Sequence, residues 1–250
     1  MRGRRIIAAL ACVVAAGCAA LVPASGIGAR GGNMLVNPSF EDGPEPWWSF
    51  HEEKPWVWGD FEVTTDHART GERSARLVMD SDESRLKARV YGAVQEITPD
   101  HCPGYLSGWY RVEGWERGTE KQYIQVVVIV WRPDEEPEGM NWGNYQVAYT
   151  MAGVTENPLP DIANRAFVVT GPKDPVEGEW VFFELELAEA FREKWGMTPE
   201  NFEYLRVLFE VRYDDRRGEE FARGDVYFDD LYLGDESRAH QDAGGAIPGE

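Results

Sequence analysis

Tyr123, Gln125 and Trp131 share one parity in the apolar run Gln122 to Arg132, and Arg206, Glu210 and Arg212 share one parity in the run Leu205 to Tyr213. Alternate residues of an extended strand project from the same side. A flat ring beside planar polar groups can hold a sugar. The ring stacks on the sugar's C–H surface, while amide and guanidinium groups bond its hydroxyls in a largely preformed cleft. Trp142 and Tyr145 follow the acidic stretch Asp134 to Glu138 and stand where they would wall such a cleft. Trp56 and Trp58 lie in a loop between Pro55 and Gly59. Trp58, Trp131 and Trp142 are the stacking candidates, and Tyr123, Gln125, Tyr145, Arg206 and Arg212 complete the candidate binding set. The same residue types also fill ordinary β cores, and Trp47, Trp48, Trp109 and Trp180 read as packing residues. Arg212 serves a surface ion pair equally well.

The composition narrows the classes. With 25 basic and 44 acidic residues the net charge is −19, the opposite of the Lys/Arg-rich face that phosphate contacts need. Docking on an anionic membrane surface is excluded on the same ground. A chain with 43% apolar and 12% aromatic residues is too hydrophobic for a disordered acidic tail. Negative charge favours a neutral or cationic ligand over an acidic polysaccharide.

The elements that must position these side chains are short and β-patterned. Runs at Ser74–Met79, Leu86–Ile97, Tyr105–Val112, Gln122–Arg132, Tyr145–Thr150, Ala166–Val169, Trp180–Leu187, Leu205–Tyr213 and Val226–Leu233 recur between turn signals. Several alternate apolar with polar, the pattern of strands with one buried face. Leu205, Val207, Phe209, Val211 and Tyr213 form one such apolar row, and Ile124, Val126, Val128 and Val130 another. Ala188 to Gly196 alone reads as a helix, ending at Gly196 before Pro199. The expectation is an all-β sandwich with one short inserted helix. In the last strand, strict alternation puts Val226, Phe228, Asp230 and Tyr232 on one side and Tyr227, Asp229, Leu231 and Leu233 on the other. One carboxylate of Asp229-Asp230 then falls among apolar neighbours, where it needs a partner, hydrogen bonds or a metal.

The chain begins with Arg2, Arg4 and Arg5, then an uncharged apolar run from Ile6 to Val22. That run is short of the ~20 residues of a membrane span and reads as a secretory signal, residues 1–24, cleaved before Ser25. The tandem Arg4-Arg5 points weakly to the twin-arginine route. Ala15-Ala16-Gly17-Cys18 offers an alternative, a lipoprotein signal with Cys18 lipidated. Either way the expected location is extracellular, periplasmic or at the cell surface, with no membrane span in the mature chain. Residues 25–32 read as a linker, 33–236 as one domain and 237–250 as a flexible tail. After cleavage Cys102 is the one cysteine left, so no intrachain disulfide forms, and it reads as a buried thiol rather than a nucleophile paired with His101.

Five motifs stand in order. They are Asn33-Met-Leu-Val-Asn-Pro-Ser-Phe-Glu-Asp-Gly43 with Trp47, His67-Ala-Arg-Thr-Gly-Glu-Arg-Ser-Ala-Arg-Leu77, Val94-Gln-Glu-Ile97, Pro103-Gly-Tyr-Leu-Ser-Gly-Trp109 and Val226-Tyr-Phe-Asp-Asp-Leu-Tyr-Leu233. The set resembles carbohydrate-binding modules of the cellulose- and xylan-binding type, families four, nine and twenty-two, from Asn33 to Gly234. That resemblance implies a galactose-binding-like jelly roll, a non-catalytic role, a neutral poly- or oligosaccharide partner and a cleft on the concave face of one sheet. It also implies a structural calcium (Ca2+) held by the Ser39 carbonyl, the Glu41 side chain, the Gly71 carbonyl and Asp229. A turn hydrogen bond from Asp229 is the alternative to the metal. The chain departs from these modules in its longer loops, Trp131–Ala163 and Glu189–Phe202. Other readings are a structural or adhesion sandwich without sugar binding, or a polysaccharide-active hydrolase or lyase. For the latter no carboxylate pair stands out, Glu210 with Glu186 or Asp214 being conceivable. The histidines at 51, 67, 101 and 240 show no zinc spacing, and neither a nucleophile elbow nor a phosphate loop is present.

Overall fold

A computed structural model describes residues 32–81, 89–133, 144–160, 162–216 and 221–239. The leader, Cys18, most of the linker, Trp142 and the chain after Ala239 lie outside the described residues. These contain eleven strands and one helix. One sheet has six strands in the order β1 (Trp58–Gly59), β4 (Val90–Ile97), β10 (Tyr204–Asp214), β6 (Lys121–Trp131), β7 (Asn144–Ala152), β8 (Arg165–Val169). The other has five, β2 (Glu62–Thr64), β3 (Ser74–Asp80), β11 (Arg223–Gly234), β5 (Tyr105–Glu116), β9 (Trp180–Glu186). From β3 onward the chain passes repeatedly between the sheets, which is the jelly-roll β-sandwich. No described helix is long and apolar enough to cross a membrane.

Each of the nine patterned runs contains a strand, with Leu86 to Ala88 of the second lying outside the described residues. β1 and β2, of two and three residues, are too short to show a periodicity. The apolar rows of β6 and β10 meet those of β3, β5, β9 and β11 in one core. At its centre Phe209 lies 4.9 Å from Phe228 and 5.7 Å from Trp47, ring to ring. Trp47 is core, as expected. Trp109 and Trp180 are not. They project from the solvent side of the five-stranded sheet, where the Arg69 guanidinium sits 4.3 Å over the Trp109 ring.

Strict alternation fails in β11. The register slips between Asp229 and Tyr232, and Asp230 takes a left-handed φ of 49°. This β-bulge resets the parity, so Val226, Phe228, Leu231 and Leu233 all face the core. The opening segment holds the bulge. The Leu231 amide donates to Pro38 O at 3.1 Å, and Asn33 bonds both Leu231 O and the Leu233 amide. Gln95 of β4 bonds the amide and carbonyl of Val36, each at 2.9 Å. The segment thus ties β11 of one sheet to β4 of the other.

The helix, α1, runs Leu187–Trp195 and buries Leu187, Ala190 and Phe191. Gly196 ends it at φ 74°, its amide bonded to Arg192 O at 2.8 Å. This left-handed position suits glycine. Chain past Ser237 is still engaged, since Glu184 accepts bonds from Ser237, Arg238 and Ala239. Ahead of β5, His101 sits between Asp100 and Asp235, with Nε2 2.8 Å from Asp235 Oδ2.

Phe209→Ala should cost about 3–5 kcal/mol of stability, the range for a large cavity in a core, read by chemical denaturation. The bond to Asp235, then that to Asp100, raises the His101 pKa above its usual 6.5. A raised folded pKa gives stability that is present below the unfolded value and lost as pH rises through the folded one. His101→Gln should therefore flatten the dependence of melting temperature on pH above about 6.5. An unchanged profile would show that this cluster contributes nothing.

Candidate functional site

The outer face of the six-stranded sheet collects most of the candidate residues. Its ladder sets them in rows across the strands. Tyr204 and Trp131 form the first, with rings stacked at 5.6 Å and 8°. The second is Glu96, Arg206, Ile129, Gln146 and Arg165. Val94, Leu208, Val127, Ala148 and Phe167 make an apolar third, and Gly92, Glu210, Gln125, Thr150 and Val169 the fourth. Arg212 and Tyr123 end the face.

The loop before β1 adds aromatics at one edge. Trp48 is pinned to β4 by paired bonds with Val94 at 3.0 and 2.7 Å. Trp48, Phe50 and Trp58 then form an edge-to-face chain, with centroids 4.6 and 4.9 Å apart. Trp58 comes down on Gly92, where an added Cβ would lie 3.2 Å from the indole and 2.9 Å from Phe209 O. These rings, with Ile129, pack on the apolar third row. Trp56, on the same loop, is 60% exposed.

The polar groups are bonded to one another. Arg206 pairs with Glu96 at 2.8 Å and lies over Tyr204 at 4.9 Å and Trp48 at 5.5 Å. Gln125 Nε2 donates to Glu210. Arg212 reaches Asp214 at 3.2 Å and Glu210 at 3.8 Å, and the Tyr123 hydroxyl donates to Asp214 at 2.9 Å. Burial pushes the Tyr123 hydroxyl well above its usual range. Arg165 donates to Gln146 Oε1 at 2.9 Å and lies 5.6 Å over Phe167.

Trp58, Trp131 and Arg206 therefore sit on one face, partly accessible. Tyr123 and Gln125 are on it too but are 0% and 1% exposed, so they lie beneath the face rather than at its surface. Arg212 belongs to their ion-pair network. Tyr145 departs from expectation. Its parity on β7 turns it into the core, edge-on to Phe191 at 5.4 Å and Trp195 at 5.0 Å. Trp142 lies outside the described residues. Sequence reading missed Trp48 as a surface ring, and also Phe50, Phe167, Gln146 and Arg165. Starting β8 at Ala166 rather than Arg165 hid the last of these, although its parity with Phe167 was available.

Of the proposed calcium ligands, the Asp229 and Glu41 carboxylates both bond the turn that contains Gly71, and the Ser39 side chain adjoins it. Asp229 Oδ2 accepts the Arg69 and Thr70 amides at 2.6 and 2.9 Å, and Oδ1 accepts that of Asp230 at 2.6 Å. Glu41 Oε1 accepts the Glu72 and Arg73 amides at 3.0 and 2.9 Å. Gly71 has φ 61°, and a Cβ there would lie 2.4 Å from Glu41 Oε1. Ser39 Oγ is 3.4 Å from the Thr70 hydroxyl. Oxygen donors of this kind suit calcium, but most of the anionic lone pairs already face amides. Glu41 Oε2 is the carboxylate oxygen without a hydrogen bond among the described residues. Elsewhere, burial pushes the Cys102 thiol up to about 12, which makes it inert at neutral pH.

No family model matches the sequence, and no curated protein matches it. Solved structures do. TmCBM61, in complex with beta-1,4-galactotriose, is 16% identical with a TM-score of 0.41, over 82% of this chain and 99% of that one. The CBM22-1 xylan-binding domain of Paenibacillus barcinonensis Xyn10C is 14% identical with a TM-score of 0.41, over 84% and 99%. A CBM28 module specific for non-crystalline cellulose is 11% identical with a TM-score of 0.39, over 82% and 96%. At such values what this chain binds is read from its own residues. Solved structures similar to it include carbohydrate-binding modules, the class its motifs resemble.

Proposed function

We propose that this protein is a non-catalytic carbohydrate-binding module that holds a poly- or oligosaccharide with a neutral main chain on the outer face of the six-stranded sheet. The observation that carries this is the edge-to-face chain Trp48–Phe50–Trp58 beside Arg206 and Gln146 on one sheet face. Aromatic rings there meet C–H surfaces while fixed polar groups meet hydroxyls. Glu210, the carboxylate at the centre of the face, is committed to Gln125 and Arg212, which supports binding rather than catalysis. The arginine-led apolar leader supports export, with release or a lipid on Cys18 as the two outcomes. A structural or adhesion role is the second reading. It is supported by the burial of Val94, Val127, Ala148 and Leu208 under the aromatics of that face.

Pulldown on insoluble cellulose, xylan and galactan decides between them. Retention on one, weakened about tenfold (~1.4 kcal/mol) by Trp58→Ala or Trp131→Ala, is the expected result. A wild-type protein retained on none would favour the structural role.

We also propose a calcium ion at the junction of Ser39, Glu41, Gly71 and Asp229, where it would join the opening segment to β11. Saturating calcium at about 100 times the dissociation constant adds ~2.7 kcal/mol. In a domain of this size that corresponds to a rise in Tm of roughly 5–10 °C. A Tm indifferent to calcium and EGTA would remove the metal and leave hydrogen bonds to hold the opening segment on β11.

A further inference from the structure

We infer that the ligand of this face carries isolated carboxylates, as a neutral glycan with scattered uronic acid substituents does, and that Arg165 receives one of them. The inference rests on the proposed sugar-binding role and names its ligand class.

Three arginines lie on the face. Arg206 has Glu96 at 2.8 Å and Arg212 has Asp214 at 3.2 Å. Arg165 has no carboxylate within ion-pair distance among the described residues. Its partner is a neutral amide oxygen, that of Gln146. The carboxylate that acts on it through space, Glu210, is already engaged by Gln125 and Arg212. Arg165 is half-buried on the edge strand β8, over the Phe167 ring. A guanidinium held this way keeps the end of its donor fork unused, and that fork fits a carboxylate through two parallel bonds.

Gln125 Oε1 and the Thr150 hydroxyl, cross-strand neighbours in the fourth row, are buried out of reach of a ligand and lie beneath the face. The whole-chain charge sets the other limit. At −19 the protein repels a dense polyanion, whereas a single carboxylate needs only a local cation within about a Debye length, ~8 Å at physiological salt. Together these select a mainly neutral chain with sparse acidic groups over a polyuronate.

The test is affinity electrophoresis of the full chain in gels containing glucuronoxylan or gum arabic, each in native and carboxyl-reduced form. Retardation by at least one native polymer, about tenfold stronger than by its reduced form and weakened at 0.5 M salt, is expected. Arg165→Gln should bring retardation by the native polymer down to that by its reduced form. Arg165→Lys, which retains charge without the fork, should fall between, and circular dichroism checks that both variants fold. Equal retardation by native and reduced polymers, a preference that survives Arg165→Gln, or binding confined to neutral cellulose, xylan or galactan overturns this inference and leaves the sugar-binding role standing. No retardation by any of these polymers overturns both.

Discussion

Asp229 is fully buried, and its carboxylate accepts three backbone amides, from Arg69, Thr70 and Asp230. Burial pushes its pKa up and the amide donors oppose that shift. A carboxylate in such a place survives because its lone pairs are met by fixed N–H groups. What it binds explains its importance. The amides of Arg69 and Thr70 belong to the loop that leads into β3, and Asp230 is the bulged residue of β11. One side chain thus fixes the loop, the bulge and the parity change that returns Leu231 and Leu233 to the core.

The opening segment works on the same bulge from the other side, through Asn33 and Pro38, and reaches β4 through Gln95. Its position relates the two sheets at one end of the sandwich. With the sheets so related, the inner rows of β6 and β10 fill the core and their outer rows are committed to the candidate site. The site residues are therefore precise in position because the core is. A ring such as Trp58 also depends on the core indirectly, since it rests on Gly92, which lies against the backbone carbonyl of Phe209 at the core's centre.

The outer face is not a bare sheet. Aromatics of the loop before β1 cover its apolar row, and ion pairs cover its polar end. The proposed ligand would meet the rims of Trp48, Phe50, Trp58 and Trp131 and the guanidinium groups of Arg165 and Arg206, with Tyr123, Gln125 and Arg212 as support below. This arrangement reconciles two features at odds in the composition, a strongly acidic chain and a candidate face that carries three arginines.

Much of this was legible in the residues. Alternation in β6 and β10 separated core from face correctly along both strands, and glycine at 196 marked the helix end to within a residue. The failures have definite causes. Tyr145 follows the acidic stretch Asp134 to Glu138 as a cleft wall would, but a strand sends its side chain to the side its register dictates. The last strand was read with a constant period of two, and a bulge breaks that period where Asp230 turns left-handed. The short strands β1 and β2 have too few residues for a pattern. The sequence by itself determined which residues share a side of each strand, because that follows from the backbone's two-residue repeat. Tertiary structure alone decided which side meets solvent, what covers it and which arginine has no carboxylate beside it among the described residues, because those depend on segments far apart in the chain arriving at the same place.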